Sequence, residues 1–169
     1  MFGDLKRSRI IALSAAFIAL ITLGSWVSLP FFPVPLTLQT LFVLLAGAVM
    51  RRYAVIPVTL YILLGALGLP VFHNGIAGIG ILLGPTGGYL IGFIPAALIV
   101  GLAYEVKTTR VRIIGLAAAT LIIYAFGISW LMYSTGMGIA AALVMGMVPF
   151  LLGDIVKATA AYLIAQRLP

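Results

Sequence analysis

Apolar residues run along this chain in blocks about as long as a bilayer is thick, with the charged residues collected between them. Ile10 to Leu29 carries no charge and has the length of a spanning helix, which needs about 20 apolar residues. Further blocks run from Leu36 to Met50, Ala54 to Leu69, Pro85 to Tyr104, Ile113 to Met132 and Ile139 to Leu168. The second is short for a span unless the preceding proline turn lies within the membrane boundary. The last is too long for a single perpendicular span, and Pro149 and Gly153 are its expected break points. The pattern predicts an all-α polytopic membrane protein: six transmembrane helices with Pro/Gly-rich outer loops, forming a single domain over residues 1–169. The first block is longer than the apolar core of a cleaved leader, so it is read as a retained helix.

Two stretches interrupt the pattern. Pro30 to Pro35 reads P-F-F-P-V-P, and its three prolines forbid both helix and ladder, so an extended turn is expected. Leu67 to Gly92 holds Gly68, Gly75, Gly78, Gly80, Gly84, Gly87 and Gly88 together with Pro70 and Pro85. No continuous helix fits there. Non-helical backbone at membrane depth survives only where protein covers it or where it lines a wet cavity. The expectation is a Gly-lined loop dipping into a pocket; the alternative is a glycine-rich connector outside the membrane.

Composition agrees with the pattern. The chain has 169 residues, of which 64% are hydrophobic and 8% charged, and its mean hydropathy is +1.28. Too little polar surface remains for a soluble domain of this size. The net charge of +7 raises the question of nucleic acid. Its placement answers it. Lys6, Arg7 and Arg9 (against Asp4), Arg51 and Arg52, Lys107, Arg110 and Arg112, and Arg167 all fall on one side of the expected topology, and the opposite loops carry none. That is the positive-inside pattern, with both termini cytoplasmic and the bilayer as partner. No basic stripe interleaved with aromatics suggests nucleic-acid binding. Trp130 and Tyr133 sit where interface aromatics would.

Asp154 and Lys157 are the exceptions. Counting back from Arg167 at about 1.5 Å per residue, they lie roughly 15 to 20 Å of helix from the cytoplasmic end. Spaced i, i+3, they share one helix face. Each costs on the order of 2.5–3.5 kcal/mol at mid-bilayer on insertion scales. Two readings stand: a structural ion pair, or a polar site for a ligand carrying donors and acceptors. Thr37, Gln39 and Thr40 lie near the outer end of the second block, and a Gln at that depth wants a partner, in a neighbouring helix or a ligand. Ala12, Ala15, Ala16 and Ala19 form a small-residue strip that allows close helix approach, within the bundle or with another protein.

Other chemistry is missing from the sequence. With no cysteine there are no disulfides or thiolate nucleophiles, and His73 is the single histidine, so no metal-ligand spacing exists. There is no G-x-x-x-x-G-K-[ST], and hence no P-loop hydrolysis of ATP by this chain. Ser129 lies in an apolar span without a base. Neither an enzyme nor a resident cofactor is expected.

Three pieces together resemble one family: F-x-P-V-P-L-T-L-Q-T at Phe31 to Thr40, G-L-P-V-F with L-G-P-T-G-G-Y-L-I-G-F between Gly68 and Phe93, and G-D-x-x-K at Gly153 to Lys157. The combination is similar to the BioY family, the biotin-specific substrate-binding subunit of energy-coupling factor (ECF) transporters, and the resemblance runs from about Leu5 to Arg167. It implies six helices around a biotin pocket open to the outside and capped by the loops after the first and third helices. It also implies that the alanine strip docks on a transmembrane coupling subunit joined to two ATPases.

The resemblance implies roles as well. Asp154 would accept hydrogen bonds from the ureido N–H groups of biotin. Lys157 would pair with Asp154 or reach the valerate carboxylate. Gln39 and Tyr89 match polar positions beside the pocket. On chemistry more than on matching, Phe31, Phe32, Phe72 and Trp130 are candidates to pack the ring and tail. This chain departs from the family pattern at Ile76, where relatives often carry Asn within a glycine run, so Asn74 would supply the loop contact. Leu90 stands where some relatives place a basic residue after G-G-Y. The rival functional class is a self-sufficient channel or secondary carrier for a small polar solute.

Overall fold

The computed structural model describes residues 2–168, with side chains from Leu5 onward. Met1 and Pro169, which the single-domain expectation includes, lie outside the described residues, as does the side chain of Asp4. The chain is built almost wholly of helices: α1 (Phe2–Trp26), α2 (Gln39–Met50), α3 (Val55–Ala66), α4 (Ile79–Leu83), α5 (Gly87–Glu105), α6 (Thr109–Thr135), α7 (Ile139–Gly146) and α8 (Leu151–Arg167). A two-residue antiparallel ladder pairs β1 (Ser28–Leu29) with β2 (Leu36–Thr37). This ladder was not expected. It brackets the proline turn, so the prolines stay in the loop and no donor they lack is needed.

Five stretches are long and apolar enough to cross a membrane: Leu5–Trp26, Gln39–Ala66, Gly87–Glu105, Thr109–Thr135 and Ile139–Arg167. The second is a hairpin. Arg51 adopts φ +58° and the chain turns through Arg51–Ala54. The Gln39 side-chain amide then donates to the Tyr61 hydroxyl, although a straight helix would hold these residues about 33 Å apart. The last stretch breaks at Met147–Phe150, just ahead of and through Pro149, which cannot continue a hydrogen-bonded turn. Gly153, the other expected break point, lies inside α8, where one glycine costs only about 1 kcal/mol of helix propensity. Likewise α5 starts at Gly87 rather than Pro85, and α6 reaches three residues beyond Met132 before Gly136 caps it at φ +73°.

Helix α5 is the centre of the packing, meeting α2, α3 and α6, while α1 covers α2 and α3. Phe93, Val100, Val43, Val58 and Leu131 form the core beneath them. The outer surface is apolar too: Leu121, Leu152, Ile155 and Val156 are all more than half exposed. A surface of that kind suits lipid and not water. The α1 stripe Ser14, Phe17, Ile21 and Ser25 is buried, and the opposite strip of Ala12, Ala15, Ala16 and Ala19 is exposed. Within the chain, therefore, the alanine strip has no partner among the described residues.

The charged helix ends gather at one pole. Lys6 lies over the Tyr53 ring at 5.6 Å, Arg52 pairs with Glu105 at 2.7 Å, and Arg51 and Arg112 flank the Tyr104 ring. Since Thr40 near the start of α2 meets Asp154 and Lys157 near the start of α8, α8 runs alongside α2 and carries Arg167 toward the same pole.

Candidate functional site

At the opposite half of the bundle, the starts of α2, α5 and α8 and the middle of α6 converge on a cavity. It is lined by Val34, Pro35, Thr37, Gln39, Thr40, His73, Thr86, Tyr89, Leu90, Phe93, Ile123, Tyr124, Phe150, Asp154 and Lys157, and the open space among them is about 60 Å³. One side is apolar and the other holds a compact polar cluster.

That cluster is built on α8. The turn at Met147–Phe150 starts α8 at a depth where Asp154 falls in its first turn and Lys157 one turn later. Both are buried, at 8% and 7% exposure. Lys157 Nζ donates to Asp154 Oδ1 at 2.7 Å and to Thr40 Oγ1 at 3.1 Å. The Thr40 hydroxyl lies 3.3 Å from the same carboxylate oxygen. Tyr124, from the middle of α6, donates to Asp154 Oδ2. The two charges thus cancel and are hydrogen-bonded, the condition under which a buried pair is tolerated. Asp154 Oδ2 keeps acceptor capacity, Oδ1 regains it where the 3.3 Å Thr40 contact gives way, and the Lys157 ammonium, with three hydrogens, has one beyond its two contacts.

Gln39 and Thr37 hold each other. The Gln39 side-chain oxygen accepts from Thr37 Oγ1 at 3.1 Å, and its amide nitrogen reaches Tyr61. Tyr61 in turn donates to the Val71 carbonyl at 3.0 Å, and Ser25 Oγ lies 2.7 Å from that carbonyl. With Trp26 Nε1 on the Pro70 carbonyl at 3.2 Å, the outer end of α1 and the end of α3 tie down the loop after α3. Tyr89 faces the cavity and donates to the Gly146 carbonyl at 2.8 Å.

The structure brings together Asp154, Lys157, Gln39, Thr37 and Tyr89 in one wall. It does not bring Phe72, Trp130, Asn74 or Phe31 into the lining. Phe72 is fully buried away from it, edge-on to Tyr61 at 5.6 Å and filling the notch left by Gly65, where a β-carbon would overlap its ring. Trp130 donates from Nε1 to the Gly84 carbonyl at 3.0 Å and packs on Tyr133, so it anchors the Gly-rich stretch from outside. Asn74 is exposed at φ +57°, the tip of a tight turn. Phe31 is half exposed and stands edge-on to the lining residue Phe150 at 6.1 Å, at the mouth, while Phe32 is 85% exposed.

The Gly-rich stretch reaches the pocket through side chains and not, as expected, through its glycines. Its glycines form turns and the short helix α4, and its contributions to the lining are His73, Thr86, Tyr89 and Leu90. His73 takes the place expected of Asn74, because the turn at Phe72–Gly75 points the two neighbours apart. Burial holds the His73 imidazolium below its usual pKa, so the ring is neutral near pH 7. Tyr124 was also missed, and Thr40, which ends the Phe31–Thr40 motif, was not among the expected site residues. The available signal was a tyrosine in the middle of an apolar block, a residue whose hydroxyl needs a partner when buried. Among the described residues no group of His, Cys, Asp and Glu is placed to hold a metal. The arrangement provides no activated nucleophile; it is suited to recognising a compact ligand that carries both N–H donors and a carbonyl.

Comparison with known proteins agrees with this reading. The model of the BioY family matches residues 3–169. A protein named biotin transporter BioY from Thermotoga maritima is 46% identical over 154 residues, covering 90% of each chain. Another of that name from Rhodobacter capsulatus is 40% identical, covering 95% of this chain and 93% of its own. Among solved structures, the S-component for biotin from an ECF-type ABC transporter superposes with a TM-score of 0.87 at 26% identity, covering 97% of this chain and 92% of that one. With the family match spanning nearly the whole sequence, the chain belongs to the BioY family.

Proposed function

We propose that this chain is the biotin-binding subunit of an ATP-driven ECF importer in the cell membrane. The observation that carries the reading is the buried Asp154–Lys157 pair on the cavity wall, held by Thr40 and Tyr124. Asp154 accepts from the ureido N–H groups, and the remaining Lys157 hydrogen is available to the ureido carbonyl. Phe93, Ile123 and Phe150 supply the apolar side for the thiophane ring. Gln39, Thr37 and Tyr89 order that wall. His73 and Thr86 stand nearer the loop cover, where the polar tail would leave the ring pocket. The names of the relatives and of the solved S-component support the ligand.

The finer topology follows from charge. Six spans arise if the α2–α3 hairpin counts as two, each arm being lengthened by its flanking turn. The arms alone are about 18 Å long, short of a hydrocarbon core of about 30 Å. The basic pole then faces the cytoplasm with both termini, and the cavity faces outward. The chain has no ATPase chemistry of its own, so two ATPases act on it through a transmembrane coupling subunit that meets the alanine strip. Small-ligand sites usually span about 300–1,000 Å³, so the cover of the 60 Å³ cavity must shift for biotin to enter and leave.

The test is equilibrium binding of labelled biotin to the purified protein in detergent, with Asp154→Asn alongside. Tight binding that weakens in the variant is the expected result. Wild-type affinity in Asp154→Asn would remove the ureido assignment, and no binding to folded wild type would remove the ligand.

A further inference from the structure

The basic pole contains a second cleft, remote from the polar cavity. It is a wedge of about 300 Å³ between the first turns of α1 and the α2–α3 turn, lined by Lys6, Arg9 and Arg51 at its rim and by Ile10, Leu13 and Val49 deeper in. Three features point to an occupant. First, the rim is cationic. Arg51 Nη1 is buried without a hydrogen-bond partner among the described residues, whereas neighbouring Arg52 is engaged by Glu105 through two hydrogen bonds of 2.7 Å. The Arg51 guanidinium packs over the Tyr104 ring, so the exposed cations that the cleft offers an anion are Lys6 and Arg9. Second, Lys6, Ile10 and Leu13 share one face of α1 at spacings of four and three. Along that face the cleft changes from charged to apolar over about 10 Å. Third, the cleft sits at the pole where the apolar outer surface meets the charged helix ends.

We propose that this wedge binds an anionic phospholipid: the phosphate between Lys6, Arg9 and Arg51, and an acyl chain along Ile10, Leu13 and Val49. A free phosphate would match the rim alone and leave the apolar floor wet. A phospholipid matches both, in the order in which the cleft presents them. Basic pockets between membrane helices recognise lipid headgroups in this way. A bound lipid would hold the N-terminal turns of α1 against the α2–α3 turn.

The test uses the full chain, purified in a zwitterionic detergent and mixed with equimolar phosphatidylglycerol and phosphatidylcholine of matched acyl chains. Native mass spectrometry then counts the lipid retained. Wild type is expected to keep phosphatidylglycerol in preference. The double variant Lys6→Gln with Arg9→Gln should lose that retention by about thirtyfold, and Arg51→Gln, a single cation, should weaken it by about fivefold. Arg110→Gln, an exposed cation of the same pole outside the cleft, should leave it unchanged. Arg51 sits at a strained turn, so the deciding variant is the one at Lys6 and Arg9, which are both exposed; retained biotin binding would report that these variants are folded. Equal retention of the two lipids, an equal loss in Arg110→Gln, or displacement of the lipid by millimolar inorganic phosphate would each overturn the proposal.

Discussion

Lys157 Nζ lies 2.7 Å from Asp154 Oδ1 across one turn of α8, and both side chains are buried. On the proposed reading the pair serves folding and recognition at once, and the two roles separate in a cycle of variants. Asp154→Asn removes a charged acceptor, which is expected to cost biotin affinity about 1.5–3 kcal/mol, or roughly 10- to 150-fold. Lys157→Met leaves a buried carboxylate unpaired and should lower stability by about 3–5 kcal/mol. Combining the two should restore much of the thermal stability, because no charge is then left alone, but none of the binding. Recovery of binding in the double variant would mean that the pair is structural only.

Tyr124 reaches the other carboxylate oxygen from α6. Tyr124→Phe deletes one hydrogen bond and little volume. The expected outcome is biotin affinity lower by about tenfold, in line with about 1.5 kcal/mol for a hydrogen bond to a charged group, at near-normal expression. Isothermal titration in detergent measures it. An unchanged dissociation constant would place Tyr124 outside the recognition wall.

Tyr89 depends on a glycine across the helix pair. A β-carbon at Gly127 on α6 would overlap the Tyr89 ring, which donates to the Gly146 carbonyl. Gly127→Ala should therefore push Tyr89 into the cavity and cost about 1–3 kcal/mol of stability as overpacking. It should also weaken biotin binding, and adding Tyr89→Leu should relieve the clash and raise the melting temperature again. If Gly127→Ala melts as wild type does, α5 and α6 have room that this packing denies them.

Some of this was legible in the sequence, for physical reasons. Two opposite charges in an apolar segment are conspicuous because membranes make them expensive, so Asp154 and Lys157 could be found without a structure. The break near Pro149 could be found because proline cannot donate. Tyr124 stood out as a tyrosine within an apolar block, but neither it nor Thr40 could be aimed at the site, because a hydroxyl inside a span is common and its direction depends on which helix lies opposite. Phe72 and His73 show the same limit in a loop. They are sequence neighbours, yet Phe72 fills the notch at Gly65 while His73 faces the cavity, and the side that each turns to is fixed by the short turn at Phe72–Gly75. The α2–α3 reversal was placed correctly by its arginines, but no residue in R-R-Y marks the positive φ at Arg51.

His73 gives the site a pH dependence. Its folded pKa is lowered by burial, so the unfolded chain takes up the proton more readily than the folded one. The contribution of the neutral ring is complete above about pH 6.5, the unfolded value, and is lost as the pH falls through the lower folded value. Thermal stability should thus decline on acidification from pH 7 toward pH 5, and His73→Gln should flatten that part of the profile. An identical slope in the variant would assign the dependence to another group.

The docking role proposed for the alanine strip can be tested by separating binding from transport. Ala12, Ala15, Ala16 and Ala19 are exposed although they lie on a helix whose opposite face is packed, and none of them touches the cavity. Small residues let helix backbones approach closely in lipid, where packing supplies much of the attraction. Ala15 and Ala16 are exposed among the described residues, so a leucine at either should leave folding and biotin binding unchanged. Against a partner helix the same leucine would hold the backbones apart by the width of a side chain. Cells carrying Ala16→Leu together with the coupling and ATPase subunits should therefore take up little labelled biotin, while the purified variant binds it normally. Coupled uptake at wild-type rates would show that the partner docks elsewhere. Loss of binding and uptake together would show that the strip supports the fold and not the docking.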